Sequence, residues 1–192
     1  QTITDKLPFL GADGCQISVL SAVTGSRDKK VSHHQLLPWG PSGLRFDLRH
    51  MLRLRIGKGF AYRMIMLVAS IVLLPLIVVE RLLFGLQSQW SWALPAALRG
   101  ALMLRKDPGT VVYSTGGAYS AHLAAYWLKR WLGVAWIAEI HDPMVRPGQV
   151  PRTRDQRFQA WLEKMICTHA DRVWWFTDGA LRGAQARHPQ LG

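Results

Sequence analysis

Two hydrophobic rhythms alternate along this chain. Short β-branched and aromatic runs stop abruptly in polar or glycine residues, and longer stretches repeat apolar residues every three to four positions. The first pattern is that of a buried parallel strand ending at a sheet edge, the second that of a helix packed on the sheet. From residue 111 the alternation predicts a strand at 111–114, a helix at 119–132 stopped by Gly133 and a strand at 134–140. A loop to Asp155 follows, then a helix at 155–168, a strand at 172–177 and a helix at 179–187. In the 155–168 segment Phe158, Trp161, Leu162, Met165 and Ile166 form an i, i+3, i+4, i+7, i+8 stripe, which is core packing. Such an order predicts an α/β domain with a parallel sheet and right-handed crossovers.

Upstream, residues 1–14 predict the end of a helix closing at Gly11 and Gly14, and Cys15 to Ala22 alternate like a strand. Thr24 to Gly43, rich in Gly, Ser, Lys, His and Pro, predicts a loop or an excursion from the sheet. His33 and His34 fall in it without further ligands at metal spacing. On a helix from Leu44 to Arg63, Arg45, Arg49 and Arg53 make one ridge, while Leu44, Leu48, Met51 and Leu52 cluster on another face. That pattern suits a solvated face on its own domain or a helix lying on anionic lipid.

Met64 to Val79 carries no charge and includes Pro75. As a helix it covers about 24 Å, less than a hydrocarbon core of about 30 Å, and Glu80-Arg81 follows at once. An in-plane or shallow re-entrant membrane element, a true span, and a buried or partner-facing helix are all open. Trp90 and Trp92 suit an interfacial belt and equally a core. Ala93 to Arg105 predicts a helix with Pro95 in its first turn, and Asp107-Pro108-Gly109 turns the chain into the 111 strand.

Composition changes this picture in two ways. With 192 residues the chain is long enough for one α/β domain, and its start at Gln1 and end at Gly192 suggest a fragment. Its 24 Lys and Arg against 12 Asp and Glu give a formal charge of +12, which favours nucleic acid, a phospholipid surface or a phosphorylated substrate. Cys15 and Cys167 lack metal-ligand spacing and are expected to be buried thiols in a reducing compartment. No signal peptide is visible.

Candidate chemistry gathers at two strand ends. After the 111 strand, Ser114, Thr115, Gly116, Gly117 and Tyr119 offer hydroxyls, a flexible turn and a helix N-terminus with unpaired N–H groups, fit for an anion or a sugar hydroxyl. After the 134 strand come His141, Asp142 and Pro143. If neighbouring parallel strands finish together, the tip near 115 and the imidazole at 141 share a cleft, where ligands of open α/β sheets bind. A plain βα turn and a sheet-edge cap are the competing structural roles. Glu139, one residue inside the strand end, is expected to be structural because its side chain points opposite to its neighbours. His122 and His169 are expected to be packing residues. No P-loop, dinucleotide fingerprint, zinc-protease motif or nucleophile elbow occurs. Most of the nine tryptophans sit in stripes that the core needs, so nucleic acid is not the expected partner.

These residues resemble a known group. Tyr113-Ser114-Thr115-Gly116-Gly117, Leu128-Lys129-Arg130, Leu132-Gly133-Val134-Ala135-Trp136, Glu139-Ile140-His141-Asp142-Pro143, Trp161-Leu162-Glu163 and Ala170-Asp171-Arg172-Val173 are similar, in order and spacing, to the N-terminal, acceptor-side half of GT-B glycosyltransferases of the family 4 type. The likeness covers about residues 93 to 187, and 5 to 22 loosely. Gly116-Gly117 stand where prolines are commoner, and Met144 stands where many relatives have an aromatic.

The resemblance implies a Rossmann-like sheet over 1–43 and 88–192, and the basic and apolar pattern of 44–87 predicts a membrane-associating insertion within it. It implies transfer of a sugar from a nucleotide-sugar co-substrate to an envelope polysaccharide or lipid-linked acceptor, with no bound cofactor or metal, at the cytoplasmic face of a membrane. The nucleotide sugar would be gripped by a separate C-terminal domain, so the chain alone would not turn over. His141 falls where the family places a residue near the transferred sugar, and Asp142 would orient the ring or anchor an acceptor hydroxyl. Ser114, Thr115, Gly116, Gly117 and Tyr119 would line the substrate side. The alternative from another class is a non-catalytic, membrane-associated scaffold or partner-binding module on the same Rossmann-like fold.

Overall fold

A computed structural model describes the chain except residues 1, 13, 26, 28, 87, 88, 108, 117, 118, 147 and 190–192 and the side chains of 2–5 and 12. In order the elements are α1 (Thr2–Ala12), β1 (Ser18–Ala22), β2 (Ser32–Leu36), α2 (Pro41–Ile56), α3 (Phe60–Leu83), a 3-10 turn (Trp90–Trp92), α4 (Ala93–Leu104), β3 (Val112–Gly116), α5 (Tyr119–Leu132), β4 (Trp136–Ile140), α6 (Arg154–His169), β5 (Arg172–Trp175) and α7 (Asp178–Arg187). The strands form two small parallel sheets, β1-β2 and β3-β4-β5. The protein is therefore α/β, with parallel strands and flanking helices.

Register divides the three-stranded sheet into two unlike faces. Val112 pairs with Trp136, Ser114 with Ala138 and Gly116 with Ile140, so Ser114, Trp136, Ala138 and Ile140 share one side. That side is sealed: Trp136, Ala138 and Ile140 pack with Ala93, Ala96 and Ala97 of α4, Leu123 of α5, and Leu162 and Ile166 of α6. The predicted 158–166 stripe supplies the last two. Tyr113, Thr115, Glu139 and Trp174 fall on the other face, which α1 reaches with Lys6.

Local chemistry sets the boundaries. α6 opens on a capping box, Thr153 accepting from the Gln156 N–H while the Gln156 side chain accepts from the Thr153 N–H. α5 stops at Gly133, which has φ 67°. The Asp171 carboxylate accepts the Trp136 N–H at 2.7 Å and is held by Lys129, so the turn before β5 also fixes the start of β4. The bonds from Lys129 and the Trp136 N–H keep its carboxyl below the usual range.

Three expectations are corrected. The segment 24–43 is not all loop: Ser32–Leu36 is β2, with His33 and His34 in it, and the His33 ring bonds the Ser21 hydroxyl at 2.8 Å. A strand that keeps polar side chains on partly exposed positions and draws its order from backbone pairing with β1 carries little hydrophobic signature. Cys15 lies exposed ahead of β1, whereas Cys167 is buried on α6. Finally, the basic helix ends at Ile56, and α3 runs from Phe60 through Pro75 to Leu83, 24 residues or about 36 Å. Among the described residues it is the one helix long and apolar enough to cross a membrane by length and composition.

Candidate functional site

β3 and β4 do finish together. Thr115 lies opposite Glu139 and Gly116 opposite Ile140, so His141 is the first residue beyond the sheet edge. Gly116 has φ 115°, a backbone conformation that side-chain-bearing residues rarely adopt, and this is where the chain leaves β3 for α5. Phe176, the residue after β5, donates its N–H to the Ile140 carbonyl at 3.0 Å and brings its ring to 5.4 Å from the His141 ring.

The centre of this edge is Glu139. Its Oε2 accepts from the Tyr113 hydroxyl and from Thr115 Oγ1, each at 2.6 Å, and lies 3.4 Å from His141 Nε2. Its Oε1 is paired with Lys6 Nζ of α1. Burial pushes the Glu139 carboxyl upward, but the bonds from Lys6, Thr115, Tyr113 and His141 outweigh it and bring the pKa down to about 2. Burial, with the Glu139 carboxylate beside it, drives the Tyr113 phenol well above its ordinary value.

These contacts fix the histidine. Thr115 Oγ1 spends its proton on Glu139 and lies 3.1 Å from His141 Nε2, so it accepts from an Nε2–H. In the neutral ring that leaves the lone pair on Nδ1, ready to take a proton or a hydrogen bond. Around this polar centre stand Tyr113, with Trp174 edge-on at 5.9 Å, and Phe176; Trp174 and Phe176 are 51% and 65% exposed.

The predicted residues separate under this geometry. Thr115 and His141 come together, with Gly116 at the turn beside them. Asp142 follows on the exposed loop and makes no hydrogen bond or ion pair among the described residues, so the imidazole is oriented by the Thr115 hydroxyl, which Glu139 holds in turn. Ser114 points away from the edge: its hydroxyl accepts from Trp136 Nε1 at 2.8 Å and meets His122 Nδ1 at 2.9 Å. His122 is wholly buried, reaches the Gly116 carbonyl at 3.4 Å with Nε2, and is lowered to about 4 by burial. Ser114 and His122 thus brace the turn from beneath. The Tyr119 hydroxyl donates to Asp155 at 2.8 Å and its ring packs on Phe158, which ties α5 to α6. Gly117 lies outside the described residues.

Glu139, Lys6, Tyr113 and the two exposed aromatics escaped the sequence reading. The alternation that assigned Glu139 a structural place correctly turns it away from Ala138 and Ile140. That direction is toward Thr115 and His141, and only the pairing of β3 with β4 reveals it. Lys6 lies far off in sequence, on α1.

Among the described residues no group of three or more His, Cys, Asp or Glu gathers to hold a metal. A small cleft nearby is lined by Pro143 and Val145 of the loop after β4 and by Thr177, Gly179, Ala180 and Gly183 at the start of α7. Arg187, which also lines it, is engaged by the fully buried Glu163. Comparison with known families, with curated proteins and with solved structures returns no match for this chain.

Proposed function

We infer that the chain is the acceptor-side, Rossmann-like half of a GT-B glycosyltransferase that moves a sugar from a nucleotide sugar to an envelope polysaccharide or a lipid-linked acceptor at a membrane surface. The observation carrying this reading is the convergence of Thr115, Glu139 and His141 on one sheet edge beside exposed aromatic rings. An oriented imidazole with its Nδ1 lone pair free accepts a hydrogen bond from an acceptor hydroxyl and takes its proton as that oxygen bonds to the anomeric carbon of the donor sugar, while the bond from that carbon to the phosphate oxygen breaks and the nucleotide leaves with the electron pair. Trp174 and Phe176 offer flat, electron-rich faces against which the C–H side of a sugar ring packs. In this reading Glu139 is a positioning residue and His141 the group that touches substrate. Asp142, one residue on, is the acceptor-hydroxyl anchor. The donor nucleotide is held by a separate C-terminal domain.

The test is transfer of labelled sugar from a panel of nucleotide sugars to membrane lipid by the complete reading frame. His141→Ala is expected to lower kcat/KM at least about 100-fold, within the usual contribution of a general base, with its circular dichroism unchanged. Transfer at the wild-type rate removes His141 from the chemistry, and no transfer from any nucleotide sugar by the wild type removes the function.

A further inference from the structure

Among the described residues, the hairpin of α2 and α3 leaves a long row of large apolar side chains exposed. α3 turns Met66, Ser70, Leu73, Ile77 and Glu80, spaced by fours and threes, toward α2, and Arg45 Nε reaches the Ser70 hydroxyl at 3.1 Å. Positions two further on point the opposite way. There Val68, Val72, Val79 and Leu82 are 57%, 63%, 52% and 70% exposed. α2, the turn and the first turn of α3 carry the charge: Arg45, Arg49, Arg53, Arg55, Lys58 and Arg63 are all exposed.

By length α3 suits a span, but its partner forbids one. α2 lies antiparallel along it, and crossing would carry Arg45, Asp47, Arg49, His50 and Arg53 into hydrocarbon, where each is costly. The other end of the hairpin is fastened to the α/β body. Buried Glu80 accepts the Ser42 N–H at the start of α2 and the Trp90 indole N–H, and Arg154 of α6 donates to the last carbonyls of α3 at Leu82 and Leu83. A helix so held satisfies its apolar face by lying in the interface, with the arginine ridge among headgroups.

We propose that the hairpin 41–83 is an in-plane anchor that seats on a bilayer surface bearing anionic phospholipid and does not cross it. The charge selects this occupant: a second copy would supply apolar surface but no anion for six exposed cations. The inference stands apart from the transferase reading, and its test measures no transfer.

Flotation of the full chain with vesicles of phosphatidylcholine, alone or mixed with phosphatidylglycerol, tests it. Binding is expected on the mixed vesicles and weakened by salt. Replacing Arg45, Arg49 and Arg53 together by Gln is expected to lower partition about 100-fold, from roughly a factor of five per basic residue, whereas the triple Lys variant binds like the wild type. In a Cys15→Ser background, Lys58→Cys is expected to react with an impermeant maleimide added outside intact vesicles. A protected tip means the hairpin spans and overturns the proposal. So does failure to float together with a dimer in light scattering, which would assign the face to a second copy. Equal partition onto both vesicle types, or no loss in the Gln variant, overturns the role of anionic lipid.

Discussion

The Thr115 hydroxyl oxygen lies 3.1 Å from His141 Nε2 while it donates at 2.6 Å to Glu139. The imidazole is therefore oriented by a hydroxyl whose own proton is claimed by a carboxylate. Glu139→Gln loosens that arrangement: the amide can no longer attract Lys6 as a charge, and it competes with donors where the carboxylate only accepted. Lys6 is partly exposed, which limits the loss; the variant is expected to lose roughly 1–3 kcal/mol in denaturant unfolding. Because the folded pKa is about 2, below the ordinary 4.5, the stabilisation is full above pH 4.5 and is lost as pH falls toward 2. Glu139→Gln should flatten the wild-type acid unfolding curve across that window, and an unchanged curve would remove Glu139 from the stability of this edge.

His122 titrates in a different window. Its folded pKa is about 4 against 6.5 for the free side chain, so the unfolded chain takes up the proton first as pH falls. Its contribution is complete above pH 6.5 and declines toward pH 4. His122→Leu removes this dependence but takes the ring nitrogens from the Ser114 hydroxyl, which keeps only Trp136, and from the Gly116 carbonyl, at a cost of roughly 1–3 kcal/mol at neutral pH. Melting temperatures between pH 7.5 and 4 check both effects. A variant as stable as the wild type at neutral pH, with the same pH slope, would contradict the bracing of the turn by Ser114 and His122.

Gly40 is required by space. A Cβ there would stand 2.5 Å from Glu80 Oε1 and 2.7 Å from the Cβ and Oγ of Ser91, displacing the carboxylate whose Oε1 accepts the Trp90 indole N–H and whose Oε2 accepts the Ser42 N–H. Gly40→Ala is expected to cost about 1–2 kcal/mol, the scale of a lost cap with some added strain. Gly59, the N-cap of α3 with open space around a Cβ and φ −69°, is the control; Gly59→Ala should change stability by less than about 1 kcal/mol, the lower unfolded-state entropy opposing the N-cap preference for Gly over Ala. Chemical unfolding of the two variants separates them, and equal stabilities would mean that the Glu80 contact does not hold the hairpin's base.

What the residue pattern discloses follows the physical origin of each feature. α5 is legible to the residue, since Tyr119 opens an apolar rhythm that Gly133 ends, and α6 follows from its stripe. β2 is not, because Ser32–Leu36 pairs with β1 through its backbone while four of its five side chains are polar and Leu36 alone packs against the core. The break between α2 and α3 is marked by Gly57 and Gly59, yet the basic rhythm running past them conceals it. At the site, adjacency along the chain exposes Thr115, Gly116 and His141. Lys6, Tyr113 and Glu139 meet only through the register of β4 against β3 and the placement of α1. Ser114 shows the converse: it sits beside Thr115 in sequence, but strand alternation turns its hydroxyl into the core, toward Trp136 and His122.

Trp174 and Phe176 stand half or more exposed next to the Glu139–His141 edge, a placement that folding alone does not require of such large apolar rings. If they serve as a platform for a sugar ring, their removal should affect binding and spare stability. Trp174→Ala and Phe176→Ala are each expected to alter unfolding free energy by less than about 1 kcal/mol, as for surface positions. Each should weaken acceptor binding by roughly three- to tenfold, the scale of one lost aromatic contact. Amide chemical-shift titration with a soluble oligosaccharide acceptor reads this directly, since the resonances of Thr115, Glu139 and His141 should move in the wild type and move less in either variant. Shifts confined to other parts of the molecule, or unchanged affinity in both variants, would place the acceptor elsewhere.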